Sequence, residues 1–132
     1  MKLLYPAIFT PFEDASGGYT VEIPDLPGCV SEGSDLINAI EMGTDAASGW
    51  ILDELEDGHS VPVASEASTL DVPDGSFVNL LVLDITKYSE KYSSKTIRKN
   101  ITIPAWLNSY GEQNHINFSR VLQDALLQQA QQ

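Results

Sequence analysis

Basic residues are scarce in this chain: 7 Lys and Arg stand against 19 Asp and Glu, a formal net charge of -12. The shortage is uneven. Residues 1–84 hold one Lys (Lys2) and 16 acids, a balance of -15, whereas residues 85–132 hold six basic and three acidic side chains, a balance of +3. Fields of this kind govern which macromolecule approaches which surface, so the split suggests two partners of opposite charge. Cysteine is nearly absent: Cys29 stands alone, which excludes an intramolecular disulfide and agrees with a reducing compartment. No apolar run approaches the roughly 20 residues that span a bilayer. The opening MKLLYPAIFTP is broken by proline and is followed by no small-residue cleavage site, so a soluble, cytoplasmic protein is expected. There are only two histidines, His59 and His115, far apart and without a nearby Cys, which argues against a zinc or nickel site. No internal repeat is visible.

What is present is the composition of a folded domain, 42% hydrophobic over 132 residues, enough for one domain or a small domain plus an appendage. KLLYPAIF reads as a strand, EDASGG as a hairpin connection, and GYTVEI as a second, antiparallel strand with Tyr19, Val21 and Ile23 on its buried face. PDLPGCV reads as a rigid turn ending in a short extended piece, with Cys29 as a small buried residue. From Ser34, the expected N-cap, to Gly58, the expected stop, apolar residues recur at helical spacing: Leu36, Ala39, Ile40, Gly43, Ala47, Trp50, Ile51 and Leu55. That helix should lie across the sheet and bury Trp50. Residues 59–75 read as a loop, and SFVNLLVLDI as a central strand covered on both faces. Charge changes sign in the polar stretch 86–96, which places the domain boundary there: 1–86, then 87–95 as linker or short helix, then 96–132.

The last stretch carries the clearest chemistry. In TIRKNITIP, Ile97, Lys99, Ile101 and Ile103 alternate with Thr96, Arg98, Asn100 and Thr102, the pattern of a strand with one apolar and one hydrogen-bonding side. Pro104 suits the first position of a helix, PAWLNSYGEQN, with Trp106, Leu107 and Tyr110 at helical spacing; GEQNHIN reads as the turn that follows. Asn117 is the expected N-cap of a second helix that buries Phe118, Val121, Leu122, Ala125 and Leu126. A unit this short cannot bury its own core, and a lone strand has two open edges. Two copies pairing their strands about a two-fold axis would satisfy both needs and present Arg98, Asn100 and Thr102 twice. A two-stranded ribbon fits the DNA major groove, where Arg suits guanine and Asn suits adenine. Lys99 would reach a phosphate or solvent, and Asn117 and Ser119 would place a helix N-terminus against the backbone.

This arrangement resembles the ribbon-helix-helix DNA-binding fold over residues 96–130. One departure is Lys99, on the side where that family usually has an apolar residue. The acidic half narrows the resemblance: YPAIFTP, GGYTVEIPDLPGCVSEG, SDLINAIE and LEDG look like the N-terminal domain of HicB antitoxins, and RKNITIPAWLN with INFSRVLQDAL looks like the ribbon-helix-helix type of HicB. The resemblance implies an α+β chain: a partial RNase H-like domain, with an antiparallel sheet and one long helix, followed by a ribbon-helix-helix domain. It implies an antitoxin of a type II toxin-antitoxin system that neutralises HicA, a small basic mRNA-cleaving toxin, and represses its own operon as a homodimer or tetramer on double-stranded operator DNA. Tyr19, Glu22 and Asp25 are expected to contact the toxin. No catalysis and no cofactor are expected: the first strand, where an RNase H-type enzyme places an essential Asp, has none, and Glu22 and Asp84 are the only strand carboxylates nearby. The alternative is a ribbon-helix-helix regulator whose N-terminal domain senses a small molecule or metal.

Overall fold

A computed structural model describes residues 1–93 and 95–131. The chain divides after Tyr92 into two units, Lys2–Tyr92 and Ser93–Gln132.

The first unit is a four-stranded antiparallel sheet with order β3-β2-β1-β4, from β1 (Lys2–Pro11), β2 (Tyr19–Glu22), β3 (Val30–Gly33) and β4 (Phe77–Asp84). The β1–β2 connection turns through Ala15 and Gly17, both at positive φ, and closes with Phe12 N–H donating to the Gly18 carbonyl at 2.9 Å. Pro6 lies in a central strand, where a missing N–H normally breaks a ladder. Here it is tolerated because the β1–β2 ladder reaches only to Ile8↔Glu22, and opposite Leu80 it occupies a pair that needs no N–H from it.

α1 (Leu36–Glu56) covers the face that carries Tyr5, Ala7, Phe9, Val21, Leu81 and Leu83, and contributes Ala39, Ala47 and Ile51 to the core. Gly43 makes the approach possible: a Cβ there would meet the Val21 side chain at 2.9 Å. The helix begins one residue later than expected. Asp35, not Ser34, is the N-cap, its carboxylate accepting from Asn38 N–H at 2.7 Å, while Asn38 Oδ1 accepts from Ser34 N–H at 2.9 Å. It ends at Gly58, with φ +79, where Gly58 N–H donates to Leu55 and His59 N–H to Glu54, the reciprocal pair of a Schellman stop.

Trp50 is half-buried rather than buried, because its indole N–H donates to the Pro27 carbonyl at 3.1 Å and keeps the ring at the rim of the core. The loop after α1 contains one 3-10 turn, Ala67–Thr69, and is tied down by Tyr5 Oη donating to Pro62 at 2.6 Å and by Ser65 on Asp25.

A larger correction concerns the last strand. β4 is not a central strand covered on both faces but an edge strand, with Leu81 and Leu83 buried and Leu80 and Val82 exposed. The segment expected as linker or short helix is α2 (Ile85–Tyr92), which starts with Asp84 Oδ1 accepting from Lys87 N–H at 3.1 Å. α2 packs on α1, with Tyr88 against Gly49, so the first unit extends past residue 86 to Tyr92.

In the second unit residues 95–104 form no regular element and no ladder, and are followed by α3 (Ala105–Gln113) and α4 (Phe118–Ala130). A strand is defined by its partner, and among the described residues of one chain none pairs with this segment. Pro104 is the N-cap of α3 rather than its first residue, and the helix runs on through Gly111–Gln113, as expected. His115 adopts a positive φ of 54 at the α3 stop, with the same reciprocal hydrogen bonds seen at Gly58. Asn117 caps α4 as expected, Oδ1 accepting from Arg120 N–H at 3.1 Å.

Candidate nucleic-acid interface and partner surfaces

The second unit holds two surfaces on one short segment. Ile101 and Ile103 line an apolar cavity of about 350 Å³ together with Leu107, Tyr110, Phe118 and Val121 of α3 and α4. Gly111 is essential to its floor, since a Cβ there would lie 2.3 Å from the Phe118 ring. The cavity is open: Ile101 is 55% exposed, Val121 56%, and no residue of α4 is buried. Ile97, on the same side by alternation, is 86% exposed and does not line it. Leu126, expected on the buried face of α4, is likewise exposed in the single chain.

Arg98, Lys99, Asn100 and Thr102 are all exposed along the 95–104 segment, and Ser119 is exposed in the first turn of α4. Asn117 is exposed too, but its Oδ1 is engaged in the cap, which leaves its amide nitrogen for other contacts. Arg120 pairs with Asp124 at 3.5 Å one turn on, an exposed pair of small energetic weight. The second unit carries four Lys or Arg against two acids, +2, and the first unit three against 17, -14.

The three residues expected at a toxin contact do not converge. Tyr19 and Glu22 sit three apart on β2 and so face opposite sides of the sheet. Tyr19 is half-buried, its ring edge-on to Phe77 at 5.8 Å, while Glu22 is exposed between its cross-strand partners Ile8 and Val30. Asp25 is occupied: its two carboxylate oxygens accept from Ser65 N–H at 2.8 Å and Ser65 Oγ at 2.5 Å, so it fastens the long loop to the sheet.

The remaining reactive groups have structural surroundings. Cys29 is buried, and burial pushes its thiol above the ordinary range. Tyr5 is raised by burial and then by the nearby Asp25 charge, and Tyr88 by burial and then by Asp45. His59 Nδ1 lies 3.0 Å from Glu54 Oε2 at the end of α1, and His115 occupies the α3 stop; among the described residues no three potential metal ligands come together. No helix is long and apolar enough to cross a membrane among the described residues.

Sequence reasoning missed the exposed edge of β4 and the aromatic pair on α2, Tyr88 and Tyr92, whose rings lie 4.6 Å apart with Lys91 Nζ 5.2 Å from the Tyr92 ring. The spacing of Tyr88 and Tyr92, one helical turn apart, was the available signal for the second.

Comparison with known proteins matches both units at once. A family model described as HicB_like antitoxin of bacterial toxin-antitoxin system matches residues 5–125. A protein of Haemophilus phage HP1 (strain HP1c1), described as an uncharacterized 14.9 kDa protein in the rep-hol intergenic region, is 31% identical over 106 residues, 80% of this chain and 76% of that one. Among solved structures, a chain of the toxin-antitoxin complex from Streptococcus pneumoniae matches with a TM-score of 0.63 and 26% identity, covering 98% of this chain and 99% of that one. The Burkholderia pseudomallei antitoxin HicB shares the fold with a TM-score of 0.56 and 24% identity, over 95% of this chain and 96% of its own. With its α+β sheet-and-helix unit and helical tail matched along nearly their whole length, this chain belongs to the HicB-like antitoxin family of bacterial toxin-antitoxin systems.

Proposed function

We propose that this chain neutralises a HicA-type mRNA-cleaving toxin through its acidic first unit and represses its own operon by binding operator DNA through its second. The first unit is read as a partial RNase H-like domain used as a docking surface, without catalysis. The second is read as a ribbon-helix-helix domain. The observation that carries the reading is the open groove: Ile101, Leu107, Phe118 and Val121 are each at least 38% exposed around one cavity, although they alternate or recur as core residues do. A second copy pairing its 96–103 segment with this one would close the cavity and complete a two-stranded ribbon. Arg98, Asn100 and Thr102 of both copies then share the outer face for base contacts, and Lys99 and the α4 N-terminus meet phosphates. Dimers joined further into tetramers would grip repeated half-sites. The -14 of the first unit suits a basic protein, whose encounter it would accelerate.

The test is to purify the chain alone and with the small basic protein encoded beside it, then to measure RNA cleavage by that protein and binding to the upstream DNA. Suppressed cleavage and sequence-specific, salt-dependent DNA binding are expected. Cleavage that continues in the presence of excess antitoxin would overturn the first half, and absence of specific DNA binding by either form the second. No observation favours the sensor reading.

A further inference from the structure

β4 leaves the first unit with an unprotected edge. Among the described residues it is hydrogen-bonded to β1 on one side only, in an unbroken register from Lys2↔Asp84 to Phe9↔Phe77. Soluble proteins blunt such edges with Lys, Pro, bulges or a covering element. FVNLLVLD has no Lys or Pro, its register shows no bulge, and its one charge, Asp84, stands at the end. The 3-10 turn lies near β4 but leaves Leu80 47% and Val82 59% exposed. Val82 pairs with Leu4, also 47% exposed, so the apolar patch continues onto β1.

The backbone at this edge also wants a partner. Opposite Pro6, Leu80 sits in a pair without ladder hydrogen bonds, so its N–H and C=O point outward, as do those of Val78 and Val82 by alternation. The Leu80 N–H is held by its neighbour's side chain, Asn79 Oδ1, at 2.9 Å, a contact that an incoming carbonyl would replace. Beside the edge opens a cleft of about 510 Å³ lined by Glu41 and Asp45 of α1, Val82 and Asp84 of β4, and Lys87 and Lys91 of α2.

An open edge takes either a second copy or a foreign strand, and charge separates the two. Joining two first units edge to edge would set -14 against -14, whereas an extended segment with Lys or Arg among apolar residues is attracted. We infer that β4 accepts an added strand from the basic protein partner of this antitoxin. Main-chain hydrogen bonds run to Val78, Leu80 and Val82. Apolar side chains of the added strand cover Leu4, Leu80 and Val82, and basic ones on its other face reach Glu41 and Asp45. Lys87 and Lys91 at the α2 end of the cleft favour an acidic or neutral residue there. This inference rests on the toxin-neutralising reading and assigns its contact surface.

The experiment uses the full chain and the toxin encoded beside it, with two double variants: Leu80→Lys with Val82→Lys, and Glu41→Lys with Asp45→Lys, the latter on exposed helix positions. Toxin affinity should fall about tenfold or more in each, with operator binding, circular dichroism and molar mass by light scattering unchanged. If the wild type binds no toxin, the neutralising reading itself fails. If the wild type binds and both folded variants bind within about twofold of it, the neutralising reading stands and the β4 assignment is overturned. A wild-type molar mass that halves in Leu80→Lys with Val82→Lys, toxin binding being retained, would give the edge to a second copy and also overturn it. Should that variant misfold, the Glu41→Lys with Asp45→Lys pair decides alone.

Discussion

Replacing Ile101 by Ala separates a dimer-forming groove from an ordinary surface dent. Ile101 lines the cavity with α3 and α4 residues yet is 55% exposed in the single chain. Fully burying an isoleucine is worth about 1.5–3 kcal/mol, so roughly half of that, ~0.8–1.5 kcal/mol, remains to be gained when the groove closes. A two-fold dimer counts the residue twice, which makes the loss on truncation about 1.5–3 kcal/mol. At 1.4 kcal/mol per decade the dimer Kd should therefore rise roughly 10–140-fold. Because the dimer is the species that would read DNA, apparent operator affinity should fall at low protein concentration and recover at high concentration. Sedimentation over a dilution series reads the first quantity and operator titration at two protein concentrations the second. Toxin binding serves as a control that the first unit is intact. A wild type that is monomeric while bound to operator, or an Ile101→Ala variant with an unchanged dimer Kd, would refute the closure of this groove by a second copy.

Three further outcomes follow from other residues. Arg98→Ala and Asn100→Ala should each cost about 1–3 kcal/mol of specific operator affinity per contacted base pair without altering the dimer. Lys99→Ala should weaken binding to all sequences alike and reduce the salt slope by about one; unchanged binding in all three variants would take the segment off the DNA. Gly33→Ala should destabilise the first unit by about 3 kcal/mol, because its Cβ would fall 2.2 Å from Ala39 N and 2.4 Å from Ala39 Cα, backbone atoms that cannot turn aside. That corresponds to roughly 12–24 °C in Tm, and a melting curve within a few degrees of wild type would show that β3 and α1 can separate freely. Cys29 should resist iodoacetamide until the chain is unfolded in urea. Since burial raises its thiol above the ordinary 9.0, the folded state holds the proton longer, and stability is full below that pH and falls as pH rises past it, with Tyr5 acting in the same direction. Urea titrations on both sides of that pH check the sign, and equal stability on both would contradict it.

The parts of the fold that were legible from the chain rest on local chemistry. The β1–β2 hairpin, the period of α1 with its stop at Gly58, the buried Cys29 and the Asn117 cap each depend on residues within a few positions of one another. The N-cap shifted from Ser34 to Asp35 because both residues can cap and only the reach to Asn38 N–H decides between them. Position in the sheet is a different kind of fact. FVNLLVLD reads the same whether it returns to the middle or to the edge, and its place beside β1 is fixed by the path of α1 and the long loop.

The larger discrepancies share one direction. Leu80 and Val82 of β4, Ile97 and Ile101 of the 95–104 segment, and Val121 and Leu126 of α4 carry the pattern of buried residues and lie exposed. Apolar periodicity encodes burial without saying which molecule supplies the cover. Where the covering group belongs to the same chain, as with α1 over Tyr5, Phe9 and Leu81, pattern and structure agree. Where they disagree, the exposed stripe falls into two sets with different electrostatic settings. One lies beside Glu41, Asp45 and Asp84 in a unit of -14, the other on a segment with Arg98 and Lys99 in a unit of +2. In the function proposed here the first set awaits a basic protein and the second a copy of itself. On that reading, the exposed stripes misread from the sequence are the residues through which the assembly would form.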